Sequence, residues 1–369
     1  MIYFDSAATS FQKPPQVLRA YAETIKTAAS PGRGAYREAM RASEAMLRAR
    51  EEAAAFFHFP DPERVVLTMN ATHALNLAIH SLAAPGKKAV ISGFEHNSVL
   101  RPLVDAGMEI AVAGRRLFDP EELLADFRRE LPGAALAVCT HVSNAFGYIL
   151  PIGEIASLCR AQGVPLIVDA SQSAGVLELD CSALNTAFVA MPGHKSLLGV
   201  PGSGLLLCSH DTLPLLHGGS GSDSIERRMP RYLPDRLEAG TQNAPAAAAL
   251  AAGIGYIRCH GRRAIESHER ELCRHMAQLL GRSGDLELFY ADGGVQSGVL
   301  SFRSRSRGCE EIAERLGREG ICVRSGLHCA PLAHESAGTL GTGTVRMSFS
   351  PFNTHAEVEK AAGKLIKII

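Results

Sequence analysis

Leu166-Ile167-Val168-Asp169-Ala170-Ser171-Gln172 and, further along, Met191-Pro192-Gly193-His194-Lys195 are the two stretches that decide how this chain is read. An acidic residue closing a short apolar run marks the end of a strand in a sheet covered on both faces. Lys195 stands just ahead of Gly199-Val200-Pro201-Gly202-Ser203-Gly204, where glycines allow a tight turn. A carboxylate and an amine so placed can hold one aromatic cofactor between them. The pairing suits pyridoxal phosphate, whose aldehyde takes a Schiff base from the lysine while the aspartate keeps the pyridine nitrogen protonated. A strand-ending Asp and a loop Lys also occur together for purely structural reasons, so the rest of the chain has to carry the reading.

Around these two stretches, apolar runs recur at residues 65–68, 89–92, 110–112, 136–139, 166–168, 187–190 and 205–207. Amphipathic stretches at 71–82, 98–106, 121–131 and 152–162 lie between them. This alternation predicts an α/β fold with a mixed, mostly parallel sheet and helices on both faces. Ligands in such folds gather beyond the carboxyl ends of the strands, where Thr68, Thr140 and Asp169 fall. Residues 37–57 read as one long helix. A loop at 217–242 then leads into an Ala-rich helix at 244–257. Beyond it come a charged helix at 262–280, strands near 286–289 and 299–302, and helices near 310–318 and 355–368. We therefore expect a large cofactor-binding domain, residues 15–255, and a smaller α+β domain formed by residues 1–14 and 256–369.

With 369 residues, the chain is long enough to bury a large core. Lys+Arg 38 balances Asp+Glu 38, so nothing points to nucleic acid or an acidic membrane surface. No apolar run is long enough to span a bilayer, and the first residues, MIYFDSAATS, do not read as a secretory signal. Cytoplasmic residence is the expectation. The nine cysteines form no CxxC pair and no metal-binding spacing, so reduced thiols and no metal site are expected.

Five further stretches carry chemistry. At Met69-Asn70-Ala71-Thr72-His73 a strand gives way to a helix, where free N–H groups and the Thr72 hydroxyl can bind a phosphate or simply cap the helix. His96 follows another strand end and can stack on a cofactor ring and carry protons, as a catalytic residue, or be an ordinary loop histidine. Asn144 can donate to a cofactor oxygen or serve a turn before Gly147, and Gln172 could reach the same oxygen. In Arg324-Ser325-Gly326-Leu327-His328-Cys329-Ala330-Pro331 a cysteine stands in a polar loop flanked by His328 and Arg324, cationic surroundings that favour thiolate. Arg346 lies in a β-type run and could clamp a substrate carboxylate through two parallel hydrogen bonds, or sit on the surface.

Taken together these motifs resemble the fold-type I pyridoxal-phosphate enzymes of the class V aminotransferase family. More narrowly they are similar to the group II cysteine desulfurases and selenocysteine lyases. The likeness runs from Tyr3-Phe4-Asp5-Ser6-Ala7-Ala8-Thr9 through Glu238-Ala239-Gly240-Thr241 to Phe352-Asn353-Thr354. It implies that Lys195 carries the cofactor, Asp169 faces its pyridinium, Gln172 and Asn144 its ring oxygen, and His96 its face. Ala71, Thr72 and His194 would hold the phosphate, and Thr241 the phosphate of the neighbouring subunit in a homodimer. Arg346, with Arg324 and Asn144, would bind substrate. Cys329 would accept sulfur from L-cysteine as a persulfide, leaving alanine, and a sulfur-acceptor protein would take it onward, as in iron–sulfur cluster assembly. L-Selenocysteine is the other substrate implied, with a selenocysteine lyase or another β-eliminating lyase as the alternative activity. A transaminase gives the Cys329 loop no role, and a non-catalytic protein of the same fold gives none to the Lys195, Asp169 and Arg346 set. Three departures stand out: Pro192 replaces a serine of the usual Ser-Gly-His-Lys motif, Gly32 replaces an early histidine, and the chain opens directly on the FDSAAT segment.

Overall fold

The structure, a computed structural model, describes residues 1–32 and 34–369. Its centre is a seven-stranded sheet in the spatial order Val65–Thr68, Gly204–Cys208, Phe188–Pro192, Leu166–Asp169, Leu136–Thr140, Lys88–Ser92 and Glu109–Ala113. Gly204–Cys208 runs antiparallel to both neighbours, and every other pairing is parallel. The mixed, mostly parallel sheet is the one the alternating runs predict. Every residue of Leu136–Thr140, Leu166–Asp169 and Phe188–Pro192 is buried, which is why these strands read as unbroken apolar runs. Their side chains still alternate between two cores. Ala137, Leu166, Val168 and Val189 enter one, and Val138, Ile167, Phe188 and Ala190 the other.

The helices Ala71–Leu82, Ile152–Gln162, Arg262–Leu280 and His355–Ile368 stand where the periodicity puts them. The long helix Arg37–Phe56 packs on Ala244–His260 through Ala42, Met46, Ala49, Ala244, Ala247 and Ala251. A further helix, Pro15–Thr27, lies outside the stretches expected as helix, and the apolar residues at its helical spacing mostly face outward. Val17 is its one fully buried residue, while Leu18 and Ile25 are exposed.

Residues beyond the helix Ala244–His260 build a four-stranded antiparallel sheet in the order Arg324–Gly326, Thr344–Ser348, Val299–Ser304 and Leu286–Phe289. Ile2–Tyr3 pairs in parallel with Ile321–Cys322, so the first residues fold against the last third of the chain. Ile2 and Phe4 join Leu272, Met276, Phe302, Ile312, Val345 and Leu365 in a core of their own. Arg324 and Arg346 are register partners, so the two guanidinium groups rise from neighbouring positions on one face.

One buried ion pair fixes the segment that leads to Thr241. Both nitrogens of the Arg50 fork meet the Glu238 carboxylate at 2.7 Å, and Glu238 also accepts from the Leu67 N–H at 2.7 Å. Removing one partner of such a pair costs about 3–5 kcal/mol, because the other charge stays buried. The 217–242 stretch is therefore irregular without being loose at this end.

Candidate active site

Asp169 is the last residue of its strand and is 3% exposed, with Oδ1 accepting from the Ser171 N–H at 2.9 Å. Lys195 follows the adjacent strand Phe188–Pro192. The loop between is braced from its own side. Gly193 donates to Ser203 O at 2.8 Å, Gly199 donates to Gly193 O at 2.8 Å, and a Cβ on Gly193 would stand 2.2 Å from Ser203 Oγ. Only glycine fits there. The N-terminal segment grips the peptide bond entering Lys195. The His194 carbonyl accepts from the Ser10 N–H at 3.1 Å, Ser10 Oγ at 2.9 Å, Lys13 Nζ at 3.0 Å and Thr9 Oγ1 at 3.2 Å.

Two helix starts converge on the same space. Asn70 caps Ala71–Leu82 by accepting from the His73 N–H at 2.9 Å, so the capping reading of this stretch belongs to Asn70. Thr72 Oγ1 lies 2.8 Å from Ser98 Oγ. His96 caps Asn97–Asp105, its Nδ1 accepting from the Ser98 N–H at 3.0 Å, which assigns the ring proton to Nε2. Burial first, then the nearby Lys195, Arg101 and Arg324, drives the His96 imidazole down to about 4 against the pull of Asp169. It is neutral at ordinary pH, as a ring meant for stacking should be. His194 is also lowered to about 4, by burial first and then by Lys195 and Lys13.

One cavity is lined by Ala71, Thr72, His96, Asn144, Asp169, Gln172, His194 and Lys195, eight of the residues singled out from the sequence. Gln172 Nε2 donates to Ala7 O at 3.0 Å, and Asn144 Nδ2 donates to His328 O at 2.7 Å. The other four lie elsewhere. Thr241 lines a neighbouring cleft that shares Asn70 and His194 with the first cavity. Arg346 is 2% exposed, not a surface arginine. Its Nη2 donates to Asp5 Oδ1 at 2.8 Å and its Nη1 to Asn144 O at 2.9 Å, while Nε is buried with no partner among the described residues. Arg324 is exposed beside it. Cys329 is exposed in its loop, and its carbonyl accepts from the Asn97 N–H at 2.8 Å. The expectation of a cationic His328 does not hold. That ring is 5% exposed, bonded through Nε2 to Thr344 Oγ1 at 3.0 Å, and held down to about 2 by burial and then by Arg346. Arg324 is left as the cation flanking Cys329 in sequence. A larger cleft of about 1360 Å³ lies far along the chain, at Pro214 to Arg236, and contains none of these residues.

Several participants carry no sequence signal strong enough to be singled out. Asp5 and Thr9 belong to the opening motif of the resemblance without a role of their own, and Ser10 and Lys13 look ordinary, until the fold returns all four to Lys195 and Arg346. Ser98 supplies a cavity hydroxyl next to Thr72. Glu95 is fully buried, accepts from the Thr140 N–H at 2.7 Å, and is pushed up to about 8 by burial. Its hydrogen bonds join the ends of the Lys88–Ser92 and Leu136–Thr140 strands.

The donor set fits pyridoxal phosphate. It offers an amine for the aldehyde, a buried carboxylate for the pyridine nitrogen, two helix starts with hydroxyls for the phosphate, and a neutral imidazole for the ring face. Burial lowers Lys195 from 10.5 to about 8, opposed by Asp169 and assisted by Arg346 and Arg324. A lowered lysine pKa populates the neutral, nucleophilic amine at lower pH. Loading of cofactor-free protein should therefore quicken about tenfold per pH unit up to about pH 8 and then level off. Absorbance growth after mixing measures this, and a rate still climbing toward pH 10.5 would contradict it.

The sequence model of the family described as Aminotransferase class-V matches residues 2–361. A protein of Methanothermobacter thermautotrophicus named probable cysteine desulfurase is 33% identical over 377 residues, covering 97% of this chain and 92% of the relative. One of Pyrococcus abyssi with the same name is 31% identical over 384 residues, covering 100% and 94%. Among solved structures, the apo cysteine desulfurase of Thermococcus onnurineus superimposes with a TM-score of 0.92 at 32% identity, covering 100% of this chain and 94% of the other. A cysteine desulfurase of Escherichia coli gives 0.86 at 25% identity, covering 99% and 94%. With Asp169 and Lys195 sharing one cavity at the strand ends of this fold, the chain belongs to the class V aminotransferase family, whose enzymes work with pyridoxal phosphate.

Proposed function

We propose that this protein is a cysteine desulfurase. L-Cysteine and the Cys329 thiol go in; L-alanine and a Cys329 persulfide come out. The Cβ–S bond of the substrate breaks, an S–S bond forms at Cys329, and the proton of the Cys329 thiol stays with the products. When bound, pyridoxal phosphate supplies the electron sink that makes the substrate Cα–H bond acidic. Lys195, with its amine near neutrality, takes and returns the Cα proton. Asp169 would hold the positive charge of the cofactor's ring nitrogen, and His96 would lie against one face of the ring. Arg346, held beside the cavity by its bond to the Asn144 carbonyl, would bind the substrate carboxylate once its buried guanidinium is uncovered, with Arg324 adding its own from the next strand. The observation that carries the reading is the exposed Cys329, whose loop is bonded through its carbonyls to Asn97, next to His96, and to Asn144, in the cavity wall. A transaminase has no use for such a thiol.

The same reading places the protein in the cytoplasm as a homodimer that hands sulfur to an acceptor protein. No described helix is long and apolar enough to cross a membrane. The exposed apolar side chains Met69, Leu213, Leu216 and Ile225 support a second copy nearby, with Thr241 reaching its phosphate. It also divides the chain into a cofactor-holding domain, residues 15–255, and a domain of residues 1–14 and 256–369 that brings Arg346 and Cys329. Incubating the loaded enzyme with L-cysteine should give alanine and 32 Da of added mass on the peptide bearing Cys329. Alanine without that added mass, or turnover confined to L-selenocysteine, would replace this reading with a lyase.

A further inference from the structure

His328 and Cys329 both adopt left-handed backbone, with φ of +50° and +56°, a conformation that side chains other than glycine enter sparingly. Two such residues in succession persist only where their surroundings hold them. Here both carbonyls of the pair are spoken for. Asn144 Nδ2 donates to His328 O at 2.7 Å, and the Asn97 N–H donates to Cys329 O at 2.8 Å. The His328 ring is held by Thr344 and the Asn144 carbonyl by Arg346, two residues apart on one strand. Asn144 is 8% exposed and also lines the cofactor cavity. It is the one side chain among the described residues that both walls the cavity and bonds to the thiol-bearing loop.

We propose that Asn144 is the positioning residue of the sulfur-accepting loop: its amide fixes the His328 carbonyl, and with it the backbone turn that sets where the Cys329 thiol stands relative to the cavity. The inference rests on the desulfurase reading and goes beyond it. A side chain aimed only at a cofactor oxygen would leave only one of the loop's two carbonyls held, that of Cys329 by Asn97. This amide has two N–H groups, one already committed to His328, so the second remains for the cavity.

The test separates loop from cavity. In cofactor-free wild-type protein the Asn97 and Ala330 amides should exchange with deuterium at least tenfold more slowly than freely exposed amides, and Asn144→Ala and Asn144→Asp should lose that protection. Asp keeps the shape of the side chain but offers no donor, so it also carries the test if the Ala variant fails to fold. In loaded protein, Cys329 persulfide formation from L-cysteine should fall at least tenfold more than the exchange of the L-alanine Cα proton with solvent, a reaction that needs no thiol. Freely exchanging amides in the wild type, protection unchanged in the variants, or a parallel fall of the two reactions would overturn the proposal. If the wild type loads cofactor yet never forms the persulfide, the desulfurase reading fails by itself while the exchange measurements still judge the loop.

Discussion

Lys195→Ala should give a protein that takes on no visible absorbance with pyridoxal phosphate, cannot be trapped by borohydride, and releases alanine from cysteine roughly 10⁴-fold or more slowly. Losses of that order follow the removal of a residue that acts covalently. The structure gives the expectation its specificity. Two lysines stand in this region with amines lowered to about 8, Lys195 and Lys13. Lys13 spends its amine on the His194 carbonyl at 3.0 Å and does not line the cavity. It cannot take over when Lys195 is removed, and borohydride treatment of the wild type should mark Lys195 alone. A labelled Lys13, or an absorbing Lys195→Ala protein, would show that the cofactor is attached elsewhere.

The fold was legible where physical rules act locally. Strands buried on both faces must be apolar throughout, so Leu136–Thr140, Leu166–Asp169 and Phe188–Pro192 announced themselves, and the helices between them followed from their spacing. What escaped was held by distant partners. Arg324–Gly326 is a strand because Thr344–Ser348 lies beside it, and nothing in Arg-Ser-Gly favours extended backbone by itself. Pro15–Thr27 is fixed by packing on Ala244–His260, while its own apolar residues Leu18 and Ile25 stay exposed.

The site shows the same division. Asp169 and Lys195 were readable because strand ends and glycine turns have local signatures. The network around Arg346 was not, since it closes between Asp5 and Asn144 across most of the chain. The charge on His328 was misread for a related reason. Sequence places that ring in a polar loop, while the fold turns it inward against Thr344 and Arg346, where desolvation keeps it neutral.

Cys329→Ala should abolish persulfide formation and slow alanine release from L-cysteine at least about 100-fold, about 2.7 kcal/mol in barrier, while exchange of the L-alanine Cα proton stays within about twofold. The contrast follows from placement. Cys329 does not line the cavity that holds Lys195 and Asp169, so deleting its thiol leaves the proton chemistry standing. The substrate sulfur then lacks an acceptor, and Cβ–S cleavage has to expel a poorer leaving group without nucleophilic help. Most of the other thiols are unsuited to rescue the step. Cys139, Cys208 and Cys273 are buried and pushed far toward the protonated form, and Cys259 is exposed at the end of the helix Ala244–His260. Selenium needs less assistance because a selenolate leaves more readily, so turnover of L-selenocysteine should survive the substitution better than turnover of L-cysteine. Measuring alanine from both substrates, with mass spectrometry on each cysteine-bearing peptide, reads all of these at once. Unchanged alanine release from L-cysteine in Cys329→Ala would remove the thiol from the reaction and with it the assignment as a desulfurase.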